Sequence, residues 1–273
     1  TTEIYTLSLH DALPISLGGG IWYTVTQTRA MPVDDLAEIT AQHANWLLKR
    51  GTTTIEVKSG YGLDFDNEIK MLESVNRAKK STEAELIPTC LAAHIKPHDF
   101  DGSSEAYLEW IVQELLPEIK RRSLCRRADI YIDKGAFEIK ESLHFLKQAR
   151  KSGFEITAHV DQFMSGGIKA ALEAGTLSAD HLEVISDENI RHLAMSDTVA
   201  VVLPGSSIGL GIDFAPARKL LNAGASLAIA SDWNPGSAPM GNLLAEASIM
   251  GIYEKLSMAE ILAGITFRAA KAL

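Results

Sequence analysis

The alternation of short apolar runs with amphipathic stretches is the feature that most limits how this chain can fold. From about residue 34 onward, runs rich in β-branched residues alternate with stretches in which apolar residues recur at helical spacing. This order is typical of repeated βα units, whose strands form one parallel sheet. The first helix is predicted to begin at Asp34, as its N-cap, and to end at Gly51. Strands are predicted at 53–58, 85–93, 128–133, 154–160, 176–180, 198–204 and 226–231.

Two architectures accommodate this α/β pattern. An open doubly wound sheet binds phosphate through a glycine fingerprint after its first strand, and the sequence has no such fingerprint there. A TIM-type (β/α)₈ barrel has eight strands, and the seven predicted here match its strands two to eight. We therefore expect residues 17–273 to form a partial barrel that lacks the first strand. Residues 1–16 match no βα unit and are interpreted as an unrelated or aberrant segment.

Composition narrows the class of function. The 273 residues carry a formal net charge of −9, which argues against nucleic acid or an anionic membrane as a partner. No apolar run reaches the length of a membrane span, and no secretory signal is recognisable. Cys90 and Cys125 have no paired spacing, so we expect free thiols and a cytoplasmic location.

Polar side chains gather where the predicted strands end. His159, His181 and Asp232 follow three different strands, and in a barrel such strand ends meet at one face, where catalytic groups lie. Each residue alone has an ordinary structural explanation; Asp232, for instance, could cap the next turn. Together they offer the imidazole and carboxylate ligands that suit a catalytic zinc or iron ion. Such an ion lowers the pKa of a water molecule and so supplies a nucleophile at neutral pH. His43, His98, His144 and His192 lie elsewhere and are expected to face solvent.

The segments after these strands resemble the amidohydrolase superfamily and, within it, the imidazolonepropionase family. The resemblance extends from about Leu17 to the C-terminus and depends on six motifs in the family's order. These are EVKSGYGLD (56–64), AAHIKP (92–97), AHVDQ (158–162), SADHLE (178–183), VVLPGSSIGLG (201–211) and ASDWNPGS (230–237).

The resemblance implies a reaction and a role for individual residues. The reaction is the metal-dependent hydrolysis of the cyclic amide 4-imidazolone-5-propanoate to N-formimino-L-glutamate, in histidine degradation. His159 and Asp232 would bind one zinc or iron ion, and His181 and Asp232 would be catalytic. The residues that would contact the substrate are Tyr61, His94, Gln162, Asn234, Gly236 and Ser237. The family also implies a small-molecule substrate and a possible homodimer.

The sequence departs from the family in two ways. It contains no His-x-His pair, which the family uses for two further metal ligands at the end of its first strand. We also expect it to lack the strands that form the family's small β-sandwich. Two alternatives to the implied activity therefore stay open. One is a catalytically silent fragment, and the other is a different cyclic amidohydrolase or deaminase.

Overall fold

The structure is a computed structural model that describes residues 20–273; the segment 1–16 lies outside the described residues. Its strands form one curled parallel sheet in which each strand pairs with the next along the chain. The α/β barrel prediction is confirmed for these seven strands. They are β1 (Thr54–Lys58), β2 (Glu85–Ala93), β3 (Arg127–Ile132), β4 (Glu155–Val160), β5 (Ser178–His181), β6 (Val199–Val202) and β7 (Leu227–Ile229).

Helices cover the outer face of this sheet. In chain order, they are α1 (Ile21–Ala30), α2 (Val33–Leu48), α3 (Phe65–Ala78), α4 (Ser104–Trp110), α5 (Leu116–Arg121), α6 (Ile139–Lys151), α7 (Gly167–Ala174), α8 (Asp187–Ala194), α9 (Pro204–Leu210), α10 (Ala217–Ala223), α11 (Leu243–Tyr253), α12 (Met258–Ile265) and α13 (Phe267–Ala272). A five-residue π-helical segment, Ile111–Leu115, joins α4 to α5. No helix within residues 20–273 is both long and apolar enough to span a membrane.

Two local predictions are wrong. Asp34 is not an N-cap, because Pro32 holds that position without a side-chain cap and Asp34 lies in the first turn of α2. There its negative charge still favours the helix, because the N-terminus of a helix carries partial positive charge. The segment after β6, whose Gly-Ser-Ser sequence is typical of a turn and predicts one, is the short helix α9, with Pro204 at its first position. Proline is favoured there because the first helical N–H needs no partner.

Alternate residues of each strand point to opposite faces of the sheet. The outward residues of β3 and β4, such as Ile130 and Ala158, belong to the large core between sheet and helices. Residues in register on neighbouring strands share a face, and one such row faces the barrel interior. It contains Tyr131, His159, Asp180, Val201 and Ala228. This inward row brings polar side chains from separate parts of the sequence to one place.

Candidate functional site

The candidate site lies where β1 to β7 end, and the backbone is strained there. His181 and Leu182, at the exit of β5, have φ angles of 82° and 73°. Asp161, after β4, and Asp232, after β7, have φ angles of 54° and 50°. Positive φ is uncommon for residues with a side chain, and it persists only where the surrounding structure enforces it. Strained residues of this kind cluster at functional sites, as they do at three of these strand exits.

Three of the sequence-predicted histidines lie together around one tyrosine. The rings of His159 and His181 are 5.3 Å apart, measured between centroids. Tyr131 lies 6.0 Å from His94, 6.1 Å from His159 and 6.4 Å from His181. Tyr61 meets His94 edge to face at 5.3 Å. The structure therefore brings Tyr61, His94, His159 and His181 to one site.

A buried carboxylate shapes the loop that positions His94. Glu68 on α3 is fully buried and accepts hydrogen bonds from the amides of Gly60, Gly62 and Leu63. Gly60 has a φ of 99°, and an added Cβ there would lie 2.7 Å from the carbonyl oxygen of Leu91, so only glycine fits. The carbonyl oxygen of Gly60 in turn lies 3.0 Å from Nδ1 of His94.

The protonation state of His94 follows from its surroundings. Burial lowers the pKa of His94 to about 4, against the opposing effect of its hydrogen bond to Gly60. The ring is therefore neutral at physiological pH, with its proton on Nδ1 donated to the carbonyl. His94 thus presents the lone pair of Nε2 as a hydrogen-bond acceptor.

His159 is held by a network of charges inside the barrel. Its Nδ1 lies 3.1 Å from Oδ1 of Asp129, which is fully buried. The other oxygen of Asp129 accepts a hydrogen bond from Lys58 at 2.5 Å. Lys58 also lies 3.0 Å from Glu56 and 3.2 Å from Asp180. Burial disfavours the ammonium, but the three carboxylates outweigh it and raise the pKa of Lys58 well above its ordinary value.

The charges of Asp129 and His159 stabilise each other. Burial opposes the ionisation of Asp129, but the attraction of His159 and Lys58 is stronger and lowers the pKa of Asp129. Burial likewise opposes a charged His159, and Asp129 outweighs it by charge and hydrogen bond, so the pKa of His159 is raised. A metal bound by this ring would displace that proton.

The donor chemistry at His159 fits a metal ion. Asp129, His159 and Asp180 are buried, and one possible ligand atom from each lies within 4.8 Å of the others. Metal-ligating histidines usually donate their second ring N–H to a carboxylate, as His159 does to Asp129, which leaves Nε2 for an ion. The ligand pair predicted from the sequence was His159 with Asp232, and His159 is common to both sets. Lys58 already pairs with Asp129 and Asp180, and Asp129 also accepts from Nδ1 of His159, so Asp129 serves best as a support of the ligand.

Asp232 begins a loop that is organised by its own hydrogen bonds. Burial raises the pKa of Asp232, while the nearby His181 and His159 oppose that rise. Asn234 donates to the carbonyl oxygen of Asp232 at 2.6 Å, and its Oδ1 accepts from the amides of Gly236 and Ser237 at 2.9 and 2.8 Å. The three residues predicted to hold substrate thus form a compact turn beside Asp232, and the two amides are already occupied within it.

Gln162 is fixed in orientation at the site. Its Oε1 accepts a hydrogen bond from the hydroxyl of Tyr131 at 2.8 Å, and its Nε2 donates to Ser206 at 3.2 Å. The backbone N–H of Gln162 donates to Oδ2 of Asp133 at 2.8 Å. The side chain therefore retains one N–H and one lone pair for a ligand.

The expectation that His43 faces solvent is wrong. His43 on α2 is half-buried, and its ring packs on Trp233 at 4.5 Å. Trp46, about one helical turn further along, also packs on Trp233, at 4.9 Å between ring centroids. These two contacts join α2, which precedes β1, to the loop after β7. His98, His144 and His192 are exposed, as expected.

Sequence reasoning missed several residues of the site because they lie inside strands rather than after them. Asp129 and Tyr131 occur in the run ADIYID, and Lys58 ends the run TIEVK. Each alternates with apolar residues, and polar residues at every second position of a barrel strand indicate the interior face. That period was the available signal.

Comparison with known proteins identifies the family. The amidohydrolase family pattern matches residues 6–273. Imidazolonepropionases of Rubrobacter xylanophilus, Bacillus cytotoxicus and Streptococcus sanguinis are 41%, 39% and 38% identical over 257, 258 and 258 residues. Each alignment covers 94% of this chain and 61% of the relative, so the chain spans about three fifths of the length of these relatives.

Solved structures support the same fold. A zinc-bound adenosine deaminase from Xanthomonas campestris superposes with a TM-score of 0.68 at 17% identity, covering 98% of this chain and 64% of that one. An adenine deaminase from Arthrobacter aurescens superposes with a TM-score of 0.69 at 14% identity, covering 92% and 76%. At these identities, the likeness concerns the fold alone. Because the family pattern matches almost the whole sequence, the chain belongs to the amidohydrolase family.

Proposed function

We propose that this chain contributes the barrel site of an enzyme that hydrolyses the cyclic amide of 4-imidazolone-5-propanoate to N-formimino-L-glutamate, with one zinc or iron ion. The observation that carries the proposal is the convergence of His94, His159 and His181 around Tyr131 at the strand exits. Relatives with this sequence pattern are named imidazolonepropionase, which supports the choice of substrate.

The residues of the site suit a planar, polar ring that carries an anionic side chain. Tyr61 and His94 form an aromatic corner against which a flat ring can pack. The Nε2 lone pair of the neutral His94 can accept a hydrogen bond from a ring N–H of the substrate. Gln162 keeps one donor and one acceptor and is rigidly held by Tyr131 and Ser206, so it can fix the orientation of an amide.

Proton transfer falls to Asp232 and His181. Burial raises the pKa of Asp232, which makes its carboxylate a better proton acceptor than an exposed one. Asp232 would take a proton from the attacking water and return it to the ring nitrogen that leaves. His181 would hydrogen-bond the attacking water or the developing oxyanion.

His159 would hold the metal through Nε2, with Asp129 and Lys58 fixing its ring, and Asp232 would be the second ligand from this chain. When bound, such an ion supplies Lewis acidity and a water of lowered pKa. Three protein ligands are the usual minimum for a catalytic zinc site. Two ligands from this chain would hold zinc more weakly than a complete set, which keeps the catalytically silent alternative open.

The purified chain tests the proposal when it is incubated with 4-imidazolone-5-propanoate and one equivalent of zinc or iron(II). Formation of N-formimino-L-glutamate, measured by mass spectrometry, is the expected result, and the faster metal identifies the preferred ion. His181→Asn should abolish the product. His192→Asn, which changes an exposed histidine on α8, is the matched control and should turn over like the unchanged chain.

A second sample separates the alternatives. It joins to the N-terminus the segment that precedes the aligned region in the Rubrobacter xylanophilus relative. Product from this sample alone would mean that the chain by itself is the catalytically silent alternative. Product from neither sample would contradict the substrate assignment. Turnover of adenosine or adenine instead would favour a deaminase.

A further inference from the structure

Two buried polar atoms face each other next to the proposed catalytic histidine. The side chains of His181 and Glu183 are 5% and 2% exposed. Nδ1 of His181 lies 3.7 Å from Oε1 of Glu183, just beyond hydrogen-bonding distance. Within residues 20–273, Nδ1 of His181 and Oε2 of Glu183 are buried and have no hydrogen-bond partner.

A buried ring nitrogen and a buried carboxylate oxygen without partners are both costly. A side-chain movement of less than about 1 Å would bring Nδ1 of His181 within hydrogen-bonding distance of Oε1 of Glu183 and satisfy the ring nitrogen. The carboxylate is already anchored, because Oε1 accepts a hydrogen bond from the hydroxyl of Ser207 at 3.1 Å. The backbone on this side is also held, because the amide of Leu182 donates a hydrogen bond to the carbonyl oxygen of Val160 at 3.1 Å. The anchored carboxylate of Glu183 therefore determines the position of the His181 ring in which Nδ1 has a hydrogen-bond partner.

We infer that Glu183 is a positioning residue that holds the proton of the neutral His181 ring on Nδ1 and turns Nε2 towards the site. A carboxylate accepts hydrogen bonds only, so Nδ1 must be the donor in this pair. The lone pair of the neutral ring then lies on Nε2.

This inference decides between the two roles left open for His181, and that part of it depends on the proposed function. With a lone pair on Nε2, the neutral ring accepts a hydrogen bond from the attacking water and orients it. It cannot at the same time donate to the oxyanion from Nε2. Stabilisation of the oxyanion then falls to other groups of the site.

Nitrogen NMR of the chain labelled with ¹⁵N-histidine tests the position of the proton without any turnover. Spectra are recorded at about pH 8.5, well above the ordinary histidine pKa of about 6.5. The His181 signals are assigned by their loss in His181→Asn. The expected result is a proton on Nδ1 in the unchanged chain, movement of that proton to Nε2 in Glu183→Leu, and retention on Nδ1 in Glu183→Gln, whose amide oxygen is still an acceptor.

Glu109→Leu is the matched control, because Glu109 lies 3.9 Å from the ring of His144 at the surface. It should leave His181 unchanged. A proton on Nε2 of His181 in the unchanged chain would overturn the inference, even if Glu183→Leu failed to fold. An unmoved proton in a folded Glu183→Leu would overturn it as well.

Kinetics then tests the role in catalysis. In whichever sample forms N-formimino-L-glutamate, Glu183→Leu should lower kcat by about 100-fold or more with little change in KM, because an imidazole in the wrong tautomer binds substrate but cannot orient the water. Glu183→Gln should recover most of that loss. Failure of the reaction in every sample would count against the proposed function and leave the NMR result to stand or fall separately.

Discussion

The barrel interior has two halves that differ in chemistry. From β1 to β5, the inward side chains include Lys58, Asp129, His159 and Asp180, joined by ion pairs and hydrogen bonds. Along β6 and β7 they are apolar, and Val201 belongs to a small cluster that also contains Val199, Leu203, Ala228 and Ala272. One in-register row crosses from one half to the other between Asp180 and Val201. A single sheet thus carries a charged support for His159 beside an ordinary hydrophobic core.

The two halves should respond differently to the removal of one side chain. In the charged half, the free-energy cost of burying each charge is offset by its oppositely charged partners. In the apolar half, a lost side chain removes contacts but leaves no charge exposed to a medium of low polarity. The comparison therefore predicts which variants unfold the protein and under which conditions.

Lys58→Met should have the largest effect. It leaves Glu56, Asp129 and Asp180 without the cation that they share, and breaking a buried ion pair on one side costs about 3–5 kcal/mol. The free energy of unfolding, measured by urea denaturation, should fall by that amount. Lys147→Met is the control, because Lys147 and Glu173 form an exposed pair at 2.6 Å, worth at most about 1 kcal/mol. Equal losses in the two variants would mean that the interior network is well hydrated.

The pH dependence of the free energy of unfolding should reveal a second kind of buried carboxyl group, one that has no cation beside it within residues 20–273, near the apolar half. Glu246 on α11 is fully buried, accepts one hydrogen bond from the amide of Asn242, and has one oxygen with no partner. Burial raises the pKa of Glu246 from 4.5 to about 7. The folded state therefore keeps a proton that the unfolded state releases. The stability that protonated Glu246 contributes is complete below about pH 4.5 and is lost as pH rises through about 7.

The measurement is the free energy of unfolding of the unchanged chain and of Glu246→Gln between about pH 4.5 and 8. As pH rises over this range, the unchanged chain should lose on the order of 2–3 kcal/mol of stability relative to Glu246→Gln, because one pKa unit corresponds to about 1.4 kcal/mol. Parallel curves would show that Glu246 titrates normally in the folded protein. The pKa of Asp129 is shifted in the other direction, downward, because Lys58 and His159 keep its carboxylate ionised.

Val201→Ala tests the apolar half directly. Val201 is 7% exposed, and losing two buried methyl groups with some cavity formation costs about 2 kcal/mol. No charge is involved, so the loss should be the same at low and high salt and at pH 5 and pH 8. A loss that depends on salt would mean that Asp180, its in-register neighbour, changes its ion pair when Val201 is shortened.

Parts of the charged half differ in how far they could be predicted from the sequence. The strands and the gathering of His159 and His181 followed from the βα period and from the rule that strand exits meet at one face, and the family resemblance added His94. The ion network could not be predicted in the same way, because pairing of Lys58 with Asp129 depends on the register of β1, β2 and β3. Register is a property of the assembled sheet, and a shift by one residue would turn these side chains outward.

The loop after β7 was the hardest part to predict. Asn234, Gly236 and Ser237 were expected to contact substrate, and their role remains a prediction. Their mutual hydrogen bonds depend on local side-chain geometry that an NPGS sequence shares with many ordinary turns. The contact of His43 with Trp233 joins residues 190 positions apart, and no local pattern indicates it.

Tyr131→Phe should have the smallest effect on stability and is the most specific probe of the charged half. The substitution removes only the hydroxyl that donates to Oε1 of Gln162 and keeps the ring beside His94, His159 and His181. Loss of one such hydrogen bond costs about 1 kcal/mol. Tyr107→Phe is the control, because the hydroxyl of Tyr107 is also buried but contacts the backbone carbonyl oxygens of Leu63 and Ala92 instead of Gln162.

Both variants should therefore lose about 1 kcal/mol in urea denaturation. Only Tyr131→Phe should also weaken binding of substrate or product, because Gln162 then loses one of the two side-chain contacts that fix its amide. Calorimetric titration with N-formimino-L-glutamate measures this. If Tyr107→Phe weakened binding equally, the effect would come from general loosening of the barrel. If neither variant changed binding, Gln162 would not orient the ligand, and the hydrogen bond from Tyr131 would serve packing alone.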